Sequence, residues 1–228
     1  MLSILYEDNY LMAVNKPAGL RSEGNPGLES EVAFFLKEKY PWKRQLITGV
    51  VHRLDRPVSG VMLFALTPMA LKELGKQFGN RTVQKFYLAL CASPPPANSG
   101  ELSHWLLKDS KNKKAAVFDH AVKDAQLASL RYQVLEEKQG FFLLEIELLT
   151  GRYHQIRAQL CAVSVPIVGD VKYGSNLSVS GAGICLHAYR LIVRHPKTGD
   201  MLELTAPAPN AGLWENFSNQ TESEHVCE

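Results

Sequence analysis

Residues 128–150, ASLRYQVLEEKQGFFLLEIELLT, form two apolar runs of strand length around a Lys-Gln-Gly turn at 138–140. Runs rich in Val, Leu, Ile, Tyr and Phe on both sides of a short glycine-bearing turn fold as an antiparallel hairpin. The same pattern occurs at both ends of the chain. LSILYEDNYLMAVNKPAG (2–19) has two short runs around Glu-Asp-Asn and stops at Pro17 and Gly19; GICLHAYRLIVRHPKTGDMLELTAP (183–207) reads as a closing hairpin. Strands that arrive as hairpins, without strand–helix alternation, favour an α+β domain with a mostly antiparallel sheet.

The remaining segments complete an α+β reading: a mostly antiparallel mixed β-sheet with flanking helices. LESEVAFFLKEKY (28–40) predicts an amphipathic helix with Val32, Phe35 and Leu36 on one face. PMALKELGKQFGN (68–80) carries Pro68 at a helix start and Gly79 at its end. HQIRAQLCAV (154–163) can be helical, while GVMLFALT (60–67) and VQKFYLALCA (83–92) read as strands. The Pro-rich stretch 94–100 and the Lys-rich loop KDSKNKK (108–114) mark an excursion expected to separate two lobes. One domain over 1–215 and a polar, disordered tail over 216–228 are expected.

The chain has 228 residues, 46% hydrophobic and 21% charged, which excludes global disorder. No apolar run approaches the roughly 20 residues of a bilayer span, and Glu7 and Asp8 interrupt the first apolar stretch, so no signal peptide is expected. Cys91, Cys161, Cys185 and Cys227 are far apart with no CxxC pair, which reads as reduced thiols in a cytoplasm. Neither a metal-ligand spacing nor a glycine-rich nucleotide loop occurs, so no metal and no cofactor is expected. Residues 35–125 hold 15 Lys and Arg against 7 Asp and Glu. A basic middle suits a phosphate backbone, and equally a solvated lysine loop.

Three short stretches hold the chemistry-bearing side chains. In HRLDRPVSG (52–60), Asp55 lies between Arg53 and Arg56 at a junction leading into a buried strand. Flanking cations hold a carboxylate ionised, which suits a nucleophile or base; a structural ion pair is the other reading. In KFYLA (85–89), Tyr87 beside Lys85 is either core or an aromatic plate for a base. In LLTGRYHQIRAQL (148–160), Arg152, His154, Gln155 and Arg157 gather at a helix start, a pattern suited to phosphate or carboxylate.

Together these stretches resemble the RluA family of pseudouridine synthases. HRLDRPVSG is similar to HRLDRxTSG, KFYLAL to a K-x-Y strand and TGRYHQIRAQL to TGRxHQIRxHL; NKPAG (15–19), PIVGDVKYG (166–174) and LHAYRLIVRHPKTG (186–199) match further family segments in order. Val58 and Gln159 depart from the usual Thr and His. The resemblance implies a two-lobed catalytic domain with a central cleft and no preceding S4-like RNA-binding domain. It implies Asp55 as the essential aspartate, Tyr87 as the tyrosine stacked on the target uracil, and Arg157 as the arginine paired with the aspartate. Arg53 would enter the RNA where the flipped base was. Arg56, Lys85, Arg152, His154 and Gln155 are expected on the RNA. The implied reaction is isomerisation of uridine in rRNA or tRNA stem-loops, by a monomer needing no membrane and no obligate protein partner. A non-catalytic RNA-binding protein on the same scaffold is the alternative. A glycoside hydrolase ranks last, because no second carboxylate stands near the motifs.

Overall fold

The computed structural model describes residues 2–43, 46–179 and 181–220, with the side chains of 218–220 left aside. The chain divides into two compact units, one of residues 1–85 and 188–206, the other of 86–187 and 207–228. The first change of unit therefore falls at Lys85/Phe86, inside a strand, and not in the Pro-rich 94–100 stretch as the sequence suggested.

In the first unit, β1 (Ile4–Glu7) and β2 (Leu11–Lys16) form the expected hairpin. Asp8 closes its turn by accepting the backbone N–H groups of Tyr10 and Leu11. Short β3 (Gly49–Val50) and then β4 (Ser59–Ala65) follow, and β2 pairs antiparallel with β4 from Leu11↔Ala65 to Lys16↔Gly60. Helix α1 (Leu28–Lys39) precedes β3, and α2 (Pro68–Gly79) follows β4.

Alternation on β2 and β4 sends odd positions one way and even positions the other. Leu11, Ala13, Val61 and Leu63 pack with Ala70 and Leu74 of α2. Met12, Val14, Met62 and Phe64 pack with Leu28, Val32 and Leu36 of α1. All seven residues of β4 are buried, which is why it reads as a continuous apolar run. Truncating a fully buried leucine such as Leu63 would cost about 2–5 kcal/mol.

Both helices start and stop for local reasons. Thr67 caps α2, its hydroxyl accepting the N–H of Ala70 at 3.1 Å, with Pro68 in the first turn. In α1, Glu29 and Glu31 lie in the first turn and Lys37 and Lys39 in the last, matching the helix dipole. Its buried stripe is Leu28, Val32 and Leu36; Phe35 is only half-buried.

The second unit is built on an antiparallel sheet of β5 (Gln84–Cys91), β9 (Phe141–Leu148), β8 (Gln126–Lys138), β6 (Ser99–Asp109) and β7 (Lys114–Phe118), in that spatial order. Gln139 and Gly140, both at positive φ, make the two-residue turn between β8 and β9. The lysine loop is also a hairpin turn, joining β6 to β7 where Asp109 faces Lys114. Asp109 accepts both the backbone and side-chain N–H of Asn112 there. Helix α3 (Gln155–Ala162) sets Ala158 among Leu106, Ala115, Ala128 and Tyr173. The closing hairpin is β10 (Leu186–Arg194) with β11 (Met201–Thr205). A 3-10 helix spans Gly212–Gln220, so part of the tail expected to be disordered is ordered; 221–228 lie outside the described residues. Among the described residues no helix is long and apolar enough to cross a membrane.

Candidate active site

Asp55 is held by what happens to its neighbours. Between β3 and β4 the chain runs without regular structure, and both residues flanking Asp55 are tied to the segment after β2. The Ser22 hydroxyl accepts the N–H of Leu54 at 3.0 Å and donates to the Leu54 carbonyl at 2.7 Å. Gly19 N–H donates to the Arg56 carbonyl at 2.7 Å, and Arg56 Nε returns a bond to the Gly19 carbonyl at 2.8 Å. Val58 N–H then closes a turn on the Asp55 carbonyl. A half-buried carboxylate between two clamped residues is displayed by a rigid loop.

Lys16, which sequence reasoning left without a role, organises this clamp. It is fully buried, and its Nζ donates to the carbonyls of Pro17 at 2.9 Å, Leu20 at 2.7 Å and Arg56 at 3.3 Å. Burial pushes its ammonium down to about 8, against the pull of the Asp55 charge, which favours the cation. NKPAG carried the signal, but a lysine beside a proline gives no hint of burial. His52 anchors the other end of the loop: its Nε2 accepts the N–H of Leu63 and its ring stacks on Phe78 at 4.8 Å. Desolvation, aided by Lys85, pushes this imidazole down to about 3, so it is neutral at physiological pH.

The expected RNA-facing arginines of this segment are exposed. Arg53 Nη1 lies 3.1 Å from Glu23 Oε2 with its side chain 71% exposed, and Arg56 is exposed apart from its bond to Gly19. Lys85 and Tyr87, two apart on β5, share a side of the strand. Tyr87 is buried at 9% exposure, and burial, then Arg81, lowers the Lys85 ammonium below its usual value.

The second unit arranges the HQIR segment differently from a single cationic cluster. Arg157 is buried and makes a two-pronged ion pair with Asp170, Nε to Oδ2 at 2.6 Å and Nη2 to Oδ1 at 2.9 Å. Its guanidinium also lies 5.0 Å from the ring of Tyr173. Asp170, within PIVGDVKYG, was quoted in the sequence but assigned no role. Gln155 is buried too: its Oε1 accepts from the Thr150 hydroxyl and the Arg152 N–H, and its Nε2 donates to the Ser129 carbonyl and Gln159. With both ends of its amide used inside the unit, Gln155 serves as an internal clamp. His154 takes a left-handed backbone (φ 52°), contacts the Tyr173 hydroxyl through Nδ1 at 2.9 Å and stacks on Tyr153 at 3.8 Å. Arg152 turns its Nε to the Leu127 carbonyl.

The chain is similar to known proteins along most of its length. The family model described as RNA pseudouridylate synthase matches residues 10–162. The chain is 33% identical to the uncharacterized RNA pseudouridine synthase YlyB of Bacillus subtilis, over 95% of this chain and 73% of that one. It is 31% identical to ribosomal large subunit pseudouridine synthase C of Vibrio parahaemolyticus, over 90% of this chain and 65% of that one. Among solved structures, human RNA pseudouridylate synthase domain containing 1 superposes with a TM-score of 0.77 at 25% identity, covering 92% of this chain and 85% of that one.

Proposed function

The chain belongs to the RNA pseudouridylate synthase family and is an isomerase acting on RNA uridine; on that premise we propose that Asp55 is its catalytic carboxylate. The observation carrying this reading is the clamp that fixes Leu54 and Arg56 and presents the carboxylate between them.

Isomerisation breaks the N1–C1′ bond, turns the uracil and joins C5 to C1′, with the C5 proton lost and N1 regaining one. Electrons balance within the nucleotide. Asp55 acts at the sugar, as nucleophile on C1′ or base toward C2′. Tyr87 supplies a plate for the detached ring and a hydroxyl for the C5 proton, and Arg157 orients the carboxylate. These roles follow the family resemblance of KFYLAL and TGRYHQIRAQL. Arg53, Arg56, Lys85, Arg152 and His154 complete the contacts to RNA, Arg53 filling the space left by the extruded base. Extrusion costs a few kcal/mol, offset by stacking and phosphate contacts. The relatives named for the ribosomal large subunit support a structured rRNA stem-loop as substrate, with tRNA next. The enzyme works as a cytoplasmic monomer.

The test is release of tritium from uracil C5 in labelled RNA. Asp55→Asn, nearly isosteric, should reduce turnover about a thousandfold or more with RNA affinity retained. Turnover within about tenfold of the wild type would remove Asp55 from the chemistry.

A further inference from the structure

A second meeting of rings and cations lies in the first unit, at the end of α1. Trp42 is 71% exposed, the most exposed large apolar side chain among the described residues. Its ring is nevertheless held, edge-on to Tyr40 with centroids 5.7 Å apart and planes at 87°. Tyr40 is itself pinned, its hydroxyl donating to Glu7 Oε1. Glu7 Oε2 takes Lys39 Nζ at 2.7 Å. Lys43 Nζ lies 4.3 Å from the centre of the Tyr40 ring and Lys39 Nζ 5.4 Å. The loop thus supports one edge of an indole and leaves most of it open.

Fully burying a large apolar side chain gains about 1.5–3 kcal/mol, so an open indole forgoes stability that packing would supply. A perpendicular ring contact covers no more than one face of the indole. The rim keeps a cationic excess: Lys37, Lys39 and Lys43 are exposed against Glu38 and Glu7, and Glu7 is already spent on Lys39 and Tyr40. An apolar protein partner would be met by charged lysines, whereas a single strand offers a flat base for the ring and a phosphate for the Lys43 ammonium. The enzyme's substrate is such a polyanion.

We propose that Trp42, flanked by Lys39 and Lys43, is a stacking platform for an unpaired nucleotide of the RNA substrate, distinct from the contacts to the target uridine. The platform extends the bound stretch of RNA and adds affinity without touching the reacting bond. It rests on RNA being the substrate and not on any role of Asp55, since it is read by binding.

The experiment uses the full chain and a fluorescein-labelled oligouridine of ~12 nucleotides, within the range such platforms cover. Trp42→Ala should weaken binding roughly 5- to 150-fold, the equivalent of one stacked base, and leave the salt dependence unchanged. Trp42→Phe should keep most of the affinity. Lys43→Gln should lower the slope of log affinity against log salt by about 0.7, one phosphate of a single strand. Photocross-linking of 5-iodouridine-substituted RNA should place an adduct on Trp42. Binding by Trp42→Ala within about twofold of the wild type, or an equal loss from the exposed control Met201→Ala, overturns the proposal. So does concentration-dependent dimerisation that Trp42→Ala abolishes while RNA binding persists, which would give the ring to a second copy of the chain. If Trp42→Ala melts early, the Trp42→Phe affinity and the cross-link decide.

Discussion

Arg157 and Asp170, thirteen residues apart, meet as a planar fork and a carboxylate at 2.6 and 2.9 Å, with only 5% and 1% of their surfaces exposed. Removing one partner of a buried pair leaves the other charge uncompensated, which costs more than the intact pair contributes. Asp170→Ala should therefore lower stability by about 3–5 kcal/mol in urea unfolding. Arg157→Lys should recover only part of what Arg157→Ala loses, because a point charge cannot engage both carboxylate oxygens. The double variant Arg157→Met, Asp170→Leu should be more stable than either single truncation. An Asp170→Ala midpoint equal to the wild type would show that the pair carries no structural weight.

Arg53 is exposed and, among the described residues, pairs with Glu23 at the surface, so its loss should leave the fold intact. Arg53→Ala should weaken activity strongly on a stem-loop, where a base must be extruded, and much less on RNA whose target uridine is already unpaired. Equal losses on both substrates would reduce Arg53 to electrostatic support of Asp55.

Lys16 makes stability depend on alkaline pH. Its folded value of about 8 lies below the ordinary 10.5, so between those two values the unfolded chain binds more protons than the folded one. Wild-type stability should then rise with pH across that window relative to Lys16→Met, by at most about 1.4 kcal/mol per unit. At neutral pH, Lys16→Met should be the less stable protein, because the carbonyls of Pro17 and Leu20 lose their charged donor. A difference in urea midpoints that stays flat from pH 7 to 10.5 would contradict the burial of an ionised Lys16.

Two glycines should respond oppositely to a methyl group. At Gly60, with φ +118°, a Cβ would lie 2.1 Å from the Ala188 carbonyl oxygen and 2.5 Å from its nitrogen. Backbone cannot yield as a side chain can, so Gly60→Ala should cost more than about 4 kcal/mol or abolish folding. At Gly75 of α2 nothing lies within 4 Å of the added atom. Gly75→Ala should stabilise by roughly 0.5–1 kcal/mol through helix propensity and a less flexible unfolded chain. Thermal unfolding of both variants beside the wild type checks the contrast.

The sequence by itself determined whatever depends on neighbours along the chain. The Lys-Gln-Gly turn sets the β8–β9 register because its residues are consecutive, and Thr67 and Pro68 start α2 because capping acts within one turn. The HRLDR, KFY and HQIR motifs identify the family by local spelling alone. Where the units divide was not legible, because compactness is set by contacts distant in sequence, and a proline run is only a local break in pairing. KDSKNKK looked like a solvated excursion by composition, yet pairing of β6 with β7 makes it a hairpin turn.

Only the tertiary structure decided what each polar group in those motifs does. Gln155 is spelled like a contact to RNA and Arg157 like a partner for phosphate or carboxylate, and packing of α3 turns both inward, where desolvation requires internal partners. Lys16 is sealed by carbonyls of its own loop and of Arg56, forty residues away. Charge and donor count are properties of a residue, readable in a line of letters. Burial is a property of the fold, and burial determines whether a donor is spent inside the protein or left for the substrate.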